Sequence, residues 1–307
     1  MNSHLRIVLL LLAVLAGSSP LFAQAGQSGL AFLKLGVTGR GVAMADAMAA
    51  SVDGASSTYY NPAGLLGGDT VRSAEILFTH REWIQDTRME FLAGSVSLSG
   101  ENALGFAVTS TTVGDIEIRT RPGEAEGTFT ARDFAGTISY ARGLGDDLRL
   151  GASIKYLYEK ILIDEASGIG VDLGAQYRTP IENLSVGAVI ANLGGMSALR
   201  TESSRLPTLL RVGPAYSYQF GEGEYRALMA ADLLHLFPEG KTYTNVGGEI
   251  DFDRVVAVRA GYQFGSEGRG LTAGFGVQYR IVGLQYAYAK LAEDLGNAHS
   301  FSVVLTF

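Results

Sequence analysis

The sequence predicts an all-β protein: a transmembrane antiparallel β-barrel of about fourteen strands with a short N-terminal hatch inside its lumen. Three observations predict it. From about Ala74 to the end of the chain, apolar side chains recur with a period of two. Charged residues fall on one face of these segments and leave the other almost bare. The chain opens with a secretory leader, and no later apolar stretch is long enough to span a membrane as a helix, so any crossing falls to strands.

The leader comes first. Met1 to Arg6 carry one positive charge, Ile7 to Ala16 are apolar, and Gly17, Ser18, Ser19 and Pro20 lead to small residues at Ala23 and Ala25. This is the pattern of a signal peptide over residues 1–25, with cleavage after Ala23 or after Ala25. The other reading, an N-terminal anchor, meets a run well short of the ~20 residues a spanning helix needs. Loss of Arg6, the leader's only charged side chain, takes the net charge from −7 to −8. The basic residues form no long run, so nucleic acid is not an expected partner. The chain has no cysteine, which removes thiol catalysis and cysteine-based metal sites.

The barrel is expected over residues 71–307, with segments starting near Ala74, Arg88, Ala103, Arg132, Leu148, Ile169, Leu184, Leu209, Tyr225, Thr244, Val255, Leu271, Val282 and His299. In one of them Leu271, Ala273, Phe275, Val277 and Tyr279 alternate with Thr272, Gly274, Gly276 and Gln278. About ten residues at ~3.3 Å each, tilted near 45°, cover roughly 23–25 Å, the height of an apolar membrane band. Lys155, Asp172, Arg211, Asp232, Glu249 and Arg259 lie on the polar faces. A lipid-facing Arg or Lys at mid-bilayer would cost ~2–4 kcal/mol. A soluble sandwich also alternates. Tyrosines gathered toward segment ends and glycine on the polar face favour the membrane barrel. Tight connections such as 99–102, 143–147 and 253–254 alternate with longer gaps at 114–131, 194–206 and 234–241. That places the short turns in the periplasm and the protein in the bacterial outer membrane. Phe301, Val303, Leu305 and Phe307 share one face of the last segment. A terminal aromatic there resembles the signal read by the barrel-assembly machinery; otherwise it is simply a strand that ends in Phe.

Fourteen strands enclose a lumen that wall side chains alone cannot fill. Residues 26–70, small and apolar without a period of two, are the candidate hatch, with a short helix expected over Val42 to Ala50. Asn61 fits a helix cap, Pro62 the first helical position and Gly64 a quick exit. Tyr59, Tyr60, Leu65 and Leu66 flank that turn.

The block Phe32 to Leu66 resembles the N-terminal signature of the PorV/PorQ family, itself related to the FadL-type long-chain fatty-acid channels. Its matching pieces are Phe32-Leu33, Leu35-Gly36, Gly39-Arg40, Met44, Ala47, Asp53, Ala55-Ser56 and Asn61-Pro62-Ala63-Gly64; Gly170 to Gly174 and Ala191 to Gly194 also fit. The resemblance implies a plugged outer-membrane barrel, with Arg40, Asp53, Asn61, Pro62, Ala63 and Gly64 forming the hatch motif. It implies a non-enzymatic accessory or structural role in type IX-like protein secretion or surface attachment, with secretion components as partners. The alternative is a FadL-like passive channel for long-chain fatty acids or other hydrophobic molecules. Ala45 and Tyr60 stand where relatives often carry Gly and Trp, and the external loops are modest for a cargo-docking surface.

No catalytic site, cofactor or metal is expected. His80, His235 and His299 lie far apart, and neither an HExxH pair nor a Gly-x-Ser-x-Gly elbow occurs. Asp172, Glu249 and Asp251 could hold a cation, but pairing with inward arginines is the expected arrangement. Pro214 alone of the seven prolines falls within a clear strand, where it cannot donate to the ladder. It marks either a β-bulge near the rim or a local break in the wall, through which an apolar ligand could leave sideways.

Overall fold

The computed structural model describes residues 28–67, 73–84, 86–200, 202–266, 268–292 and 296–307; the leader lies outside them. The strands are β1 (Ala74–Glu82), β2 (Thr87–Ser99), β3 (Asn102–Ile118), β4 (Gly127–Leu144), β5 (Leu148–Ile161), β6 (Asp164–Arg178), β7 (Leu184–Met196), β8 (Ala198–Leu199), β9 (Glu202–Ser203), β10 (Leu209–Phe220), β11 (Tyr225–Leu236), β12 (Lys241–Phe252), β13 (Val256–Phe264), β14 (Arg269–Tyr279), β15 (Val282–Leu291) and β16 (Asn297–Thr306). All but β8 and β9 pair in sequence order, and β16 returns to β1, so fourteen antiparallel strands close a barrel. Closure leaves no sheet edge to meet lipid.

Alternation sets the two faces. Phe78, Phe106, Ile138, Ile154, Phe275 and Leu284 are exposed on the outside. Lys155, Asp172, Arg211, Asp232, Glu249 and Arg259 are buried within. Phe301, Val303 and Phe307 are exposed on the outer face. Phe301 and Val303 stand opposite His80 and Phe78 of β1, so the last strand completes the wall. No described helix is long and apolar enough to cross a membrane.

Two expectations about connections are corrected. The gap 114–131 is mostly strand: β3 runs on to Ile118 and β4 begins at Gly127, past a register shift between Val113 and Ile116. The gap 234–241 shrinks to residues 237–240. The ladder continues wherever backbone partners remain, so polar composition alone did not end these strands. The external connection 197–208 is the long one, and it carries the small β8–β9 hairpin.

A third correction concerns Pro214. It is exposed at the middle of β10, not near a rim. Val212 pairs with Leu233 and Ala215 with Ala230, so the register runs on unshifted and no residue is bulged. Gly213 and Pro214 simply lack pairing partners on β11, while their pairing with Gly187 and Val186 of β7 persists. Proline has no N–H to give, and the ladder lapses there instead of kinking.

Residues 28–67 fill the lumen as short turns: 3₁₀ segments Ala31–Lys34, Gly54–Ser56 and Pro62–Leu66, and helical turns Gly39–Ala43 and Ser57–Tyr60. The helix expected over 42–50 therefore starts earlier and stops sooner. Thr38 caps it by accepting the Gly41 amide at 3.0 Å. Ala45 and Asp46, at φ 53° and 61°, turn the chain out of the helix.

Candidate functional site: the hatch and the lumen wall

Backbone-to-backbone contact places the hatch. The wall turns glycine inward where the plug comes closest: a methyl at Gly174 would overlap the Asn61 amide, one at Gly187 the Ala49 carbonyl, and one at Gly247 the Met44 backbone. Glycine permits that approach because it has no Cβ.

Polar anchors then fix the plug in three places. At the first, Asn61 is fully buried. Its Oδ1 accepts the Ala63 amide at 3.2 Å, and its Nδ2 donates to the carbonyls of Ala49 at 2.7 Å and Ala175 of β6 at 3.1 Å. Pro62 opens the 3₁₀ turn, as its fixed φ allows. Ala63 is wholly buried, and Gly64 packs against the Val52 carbonyl and the Ser57 hydroxyl. Asn61 thus caps its own turn and ties two distant segments to it.

The second anchor centres on Glu249 of β12, which is only 2% exposed. Arg40 reaches it at 3.0 Å, Arg259 at 2.6 Å and Arg226 at 3.1 Å. Arg40 also donates to the Ser51 carbonyl at 3.1 Å and lies 3.8 Å from Asp53. Burial opposes charge on Arg40, but Glu249 and Asp53 outweigh it and hold the guanidinium firmly protonated. The motif residues Arg40 and Asp53 are brought together here, apart from the Asn61 corner. Of the three inward carboxylates, Glu249 pairs with arginines as expected. Asp172 instead meets Lys155 at 2.7 Å, and Asp251 accepts the Arg254 amide at 2.7 Å.

The third anchor was not foreseen. Asp46 meets Arg269 at 2.8 Å and accepts the Tyr60 hydroxyl at 2.8 Å, and that hydroxyl accepts the Val37 amide at 3.1 Å. Arg81 donates to the Gly36 carbonyl. Burial resists ionisation of Asp46, but Arg269, Arg211 and Arg81 outweigh it and hold the carboxyl below its ordinary range. Burial and the Asp46 charge push the Tyr60 phenol well above its ordinary range, so it stays a donor. Asp232 of β11 accepts the Ala49 amide at 2.8 Å beside Gly213, and so joins the plug to the wall at the lapse in the ladder. Asp46 was a single charge in an alanine-rich run, and its ion-pair partner Arg269 lies in a strand far along the chain, so no local pattern exposed it.

Asp46 makes a pH prediction. Its folded value lies below the ordinary one, so this anchor is intact above pH ~4 and is lost as pH falls lower. Loss of this anchor is expected to raise the ion conductance of the reconstituted barrel below about pH 4. A rise near neutrality would place the latch elsewhere.

Polar and apolar groups share the lumen. Toward the ends of β1 and β16 that face the periplasm, Arg40, Asp53, Gln176, Arg226, Glu249 and Arg259 line a chamber of about 1070 Å³. Toward the external end, Met89, Phe91, Leu157 and Met196 of the wall and Leu206 of the 197–208 connection pack with Leu30, Phe32 and Leu33 of the plug in one apolar cluster, beside the buried Asp46–Arg269 and Lys155–Asp172 pairs.

Together these features define a bacterial outer-membrane β-barrel with a folded plug in its lumen, apolar outside and charged within. Its fold is similar to that of the Pseudomonas putida toluene transporter TodX, with a TM-score of 0.61 at 12% identity over 88% of this chain and 97% of that one. A FadL homologue from Pseudomonas aeruginosa gives a TM-score of 0.54 at 12% identity over 88% and 98% of the two chains. At that identity the likeness is one of fold. No family model matches the chain, and no curated protein matches it by sequence.

Proposed function

We propose that the chain is a non-enzymatic, passive channel that carries hydrophobic small molecules across the bacterial outer membrane. The observation that carries this reading is the apolar cluster that wall and plug form together in the lumen, with Met89, Phe91, Leu157 and Met196 toward its external end. A water-filled porin lines its lumen with polar groups. Here an apolar solute arriving from outside meets apolar wall and plug. The fold shared with a toluene transporter and a FadL homologue supports the same reading. Residues 28–67 act as the hatch, held by the motif residues Arg40 and Asn61. Gly213 and Pro214 serve as the side exit, since the ladder to β11 lapses there with Ala49 of the plug directly inside. The barrel-assembly machinery reads Phe301, Val303 and Leu305 of β16 and Phe307 just after it.

The Pro214→Val variant restores an N–H to β10. It is expected to lower uptake of toluene into proteoliposomes several-fold at equal protein density, because that donor can close the seam. Unchanged uptake removes the side exit and leaves the periplasmic chamber as the route.

The Asn-Pro-Ala block favours a second reading, the PorV/PorQ-type accessory in type IX-like secretion. Pull-down from native membranes beside analysis of bound lipid separates the two. Secretion components without apolar ligand would overturn the channel; apolar ligand without secretion components would overturn the accessory.

A further inference from the structure

Asp133 of β4 and Glu159 of β5 face each other directly across the sheet. They point inward, because Ala135 and Leu157, each two residues away on the same faces, belong to the apolar cluster around the plug. Both lie on the external side of that layer. Neither has an ion-pair partner among the described residues. The nearby cations serve the outer face: Lys160 is bound to Glu165 at 2.7 Å, and Arg132 is exposed. Like charges directly opposite on a sheet repel, so this pair calls for a positive charge that the wall does not supply.

A second observation stands beside it. Thr111 of β3 is opposite Asp133 on the same rung, only 4% exposed, and its hydroxyl makes no hydrogen bond. Glu159, 9% exposed, also leaves its Oε2 unpartnered. The rung continues to Met89 on one side and to Ala166 on the other, both buried and apolar.

We propose that this rung binds the ammonium head of a hydrophobic amine and so biases the channel toward organic cations. A primary ammonium carries three donors, and Asp133, Glu159 and Thr111 offer three acceptor groups. The apolar body of such a molecule would lie along Met89, Leu157 and Ala135, part of the apolar cluster that wall and plug share. Calcium suits the rung less well, since it takes about six to eight oxygen ligands. The proposal rests on the channel reading and names its substrate class.

The test is calorimetric titration of the full-length barrel in nanodiscs with hexylammonium, 1-hexanol and calcium, repeated with the Asp133→Asn, Glu159→Gln double variant. Hexylammonium is expected to bind at least about tenfold more tightly than hexanol to wild type. The double variant is expected to lose that preference while keeping its hexanol affinity. Thr111→Val, a milder change, is expected to lower the ammonium affinity alone. Equal affinity for amine and alcohol, a preference that survives the double variant, or binding of calcium in place of the amine would each overturn the proposal. If hexanol binds without any preference for the amine, the channel reading stands and this one falls. If neither amine nor alcohol binds, both fall.

Discussion

Planar bilayers carrying the Asn61→Ala, Pro62→Ala double variant are expected to conduct ions, where the wild-type barrel conducts little. Asn61 is fully buried and satisfies three backbone groups: the Ala63 amide, the Ala49 carbonyl and the Ala175 carbonyl. Alanine removes every one of those bonds; the Ala49 carbonyl keeps only a 3.3 Å bond from Gln176, and each group left stranded costs ~1–3 kcal/mol. Losing an N-cap costs roughly 0.5–2 kcal/mol on its own. Replacing Pro62 frees a φ that the ring had fixed and relaxes the restriction on Asn61. Barrel strands keep their ladders, so the loss falls on the plug. Heat-modifiable gel mobility close to wild type, together with raised conductance, is the expected pair of results. A correctly inserted variant that remains closed would reduce the motif to a connector.

Glu249→Gln is expected to be more severe. One carboxylate answers Arg40 from the plug and Arg226 and Arg259 from the wall, at 3.0, 3.1 and 2.6 Å. Removing one partner of a buried ion pair costs ~3–5 kcal/mol, because the opposing charge stays behind in low dielectric. Three guanidinium groups lose that carboxylate: Arg259 is the most fully stranded, while Arg40 keeps Asp53 at 3.8 Å and Arg226 is 38% exposed to water. The plug is expected to release first, seen as protease cleavage within residues 28–67 at a temperature where the barrel still resists. Adding Arg40→Gln removes one of the stranded charges, so the double variant is expected to fall short of the sum of the single losses. Additive losses would mean that Arg40 and Glu249 are not coupled.

The wall was legible in the sequence because lipid imposes a rule on every second residue. Eleven of the fourteen expected starts fall within two residues of the observed ones; the other three, Arg132, Ile169 and Thr244, fall inside strands that begin at Gly127, Asp164 and Lys241. Those strand ends were hidden because polar residues continue the ladder beyond the apolar band. The plug was legible as a segment but not as a fold, since its turns follow backbone contact with the wall and show no period. Asn61 and Pro62 could be read because a cap is a local device. The links of Asp46 to Arg269 and of Ala49 to Asp232 cross more than 180 residues and leave no local trace. Two positions where the chain departs from the PorV/PorQ pattern it resembles acquire a physical context. Ala45 sits at φ 53°, in the region that favours glycine, and the Tyr60 hydroxyl donates to Asp46.

On the proposed function, the plugged barrel passes apolar solutes while holding back ions. Proteoliposomes of the wild-type protein test it directly when toluene uptake and ionic conductance are measured on the same preparation. Uptake well above protein-free vesicles, with conductance near background, is the expected result. Porin-like conductance, or no uptake above protein-free vesicles, would contradict it.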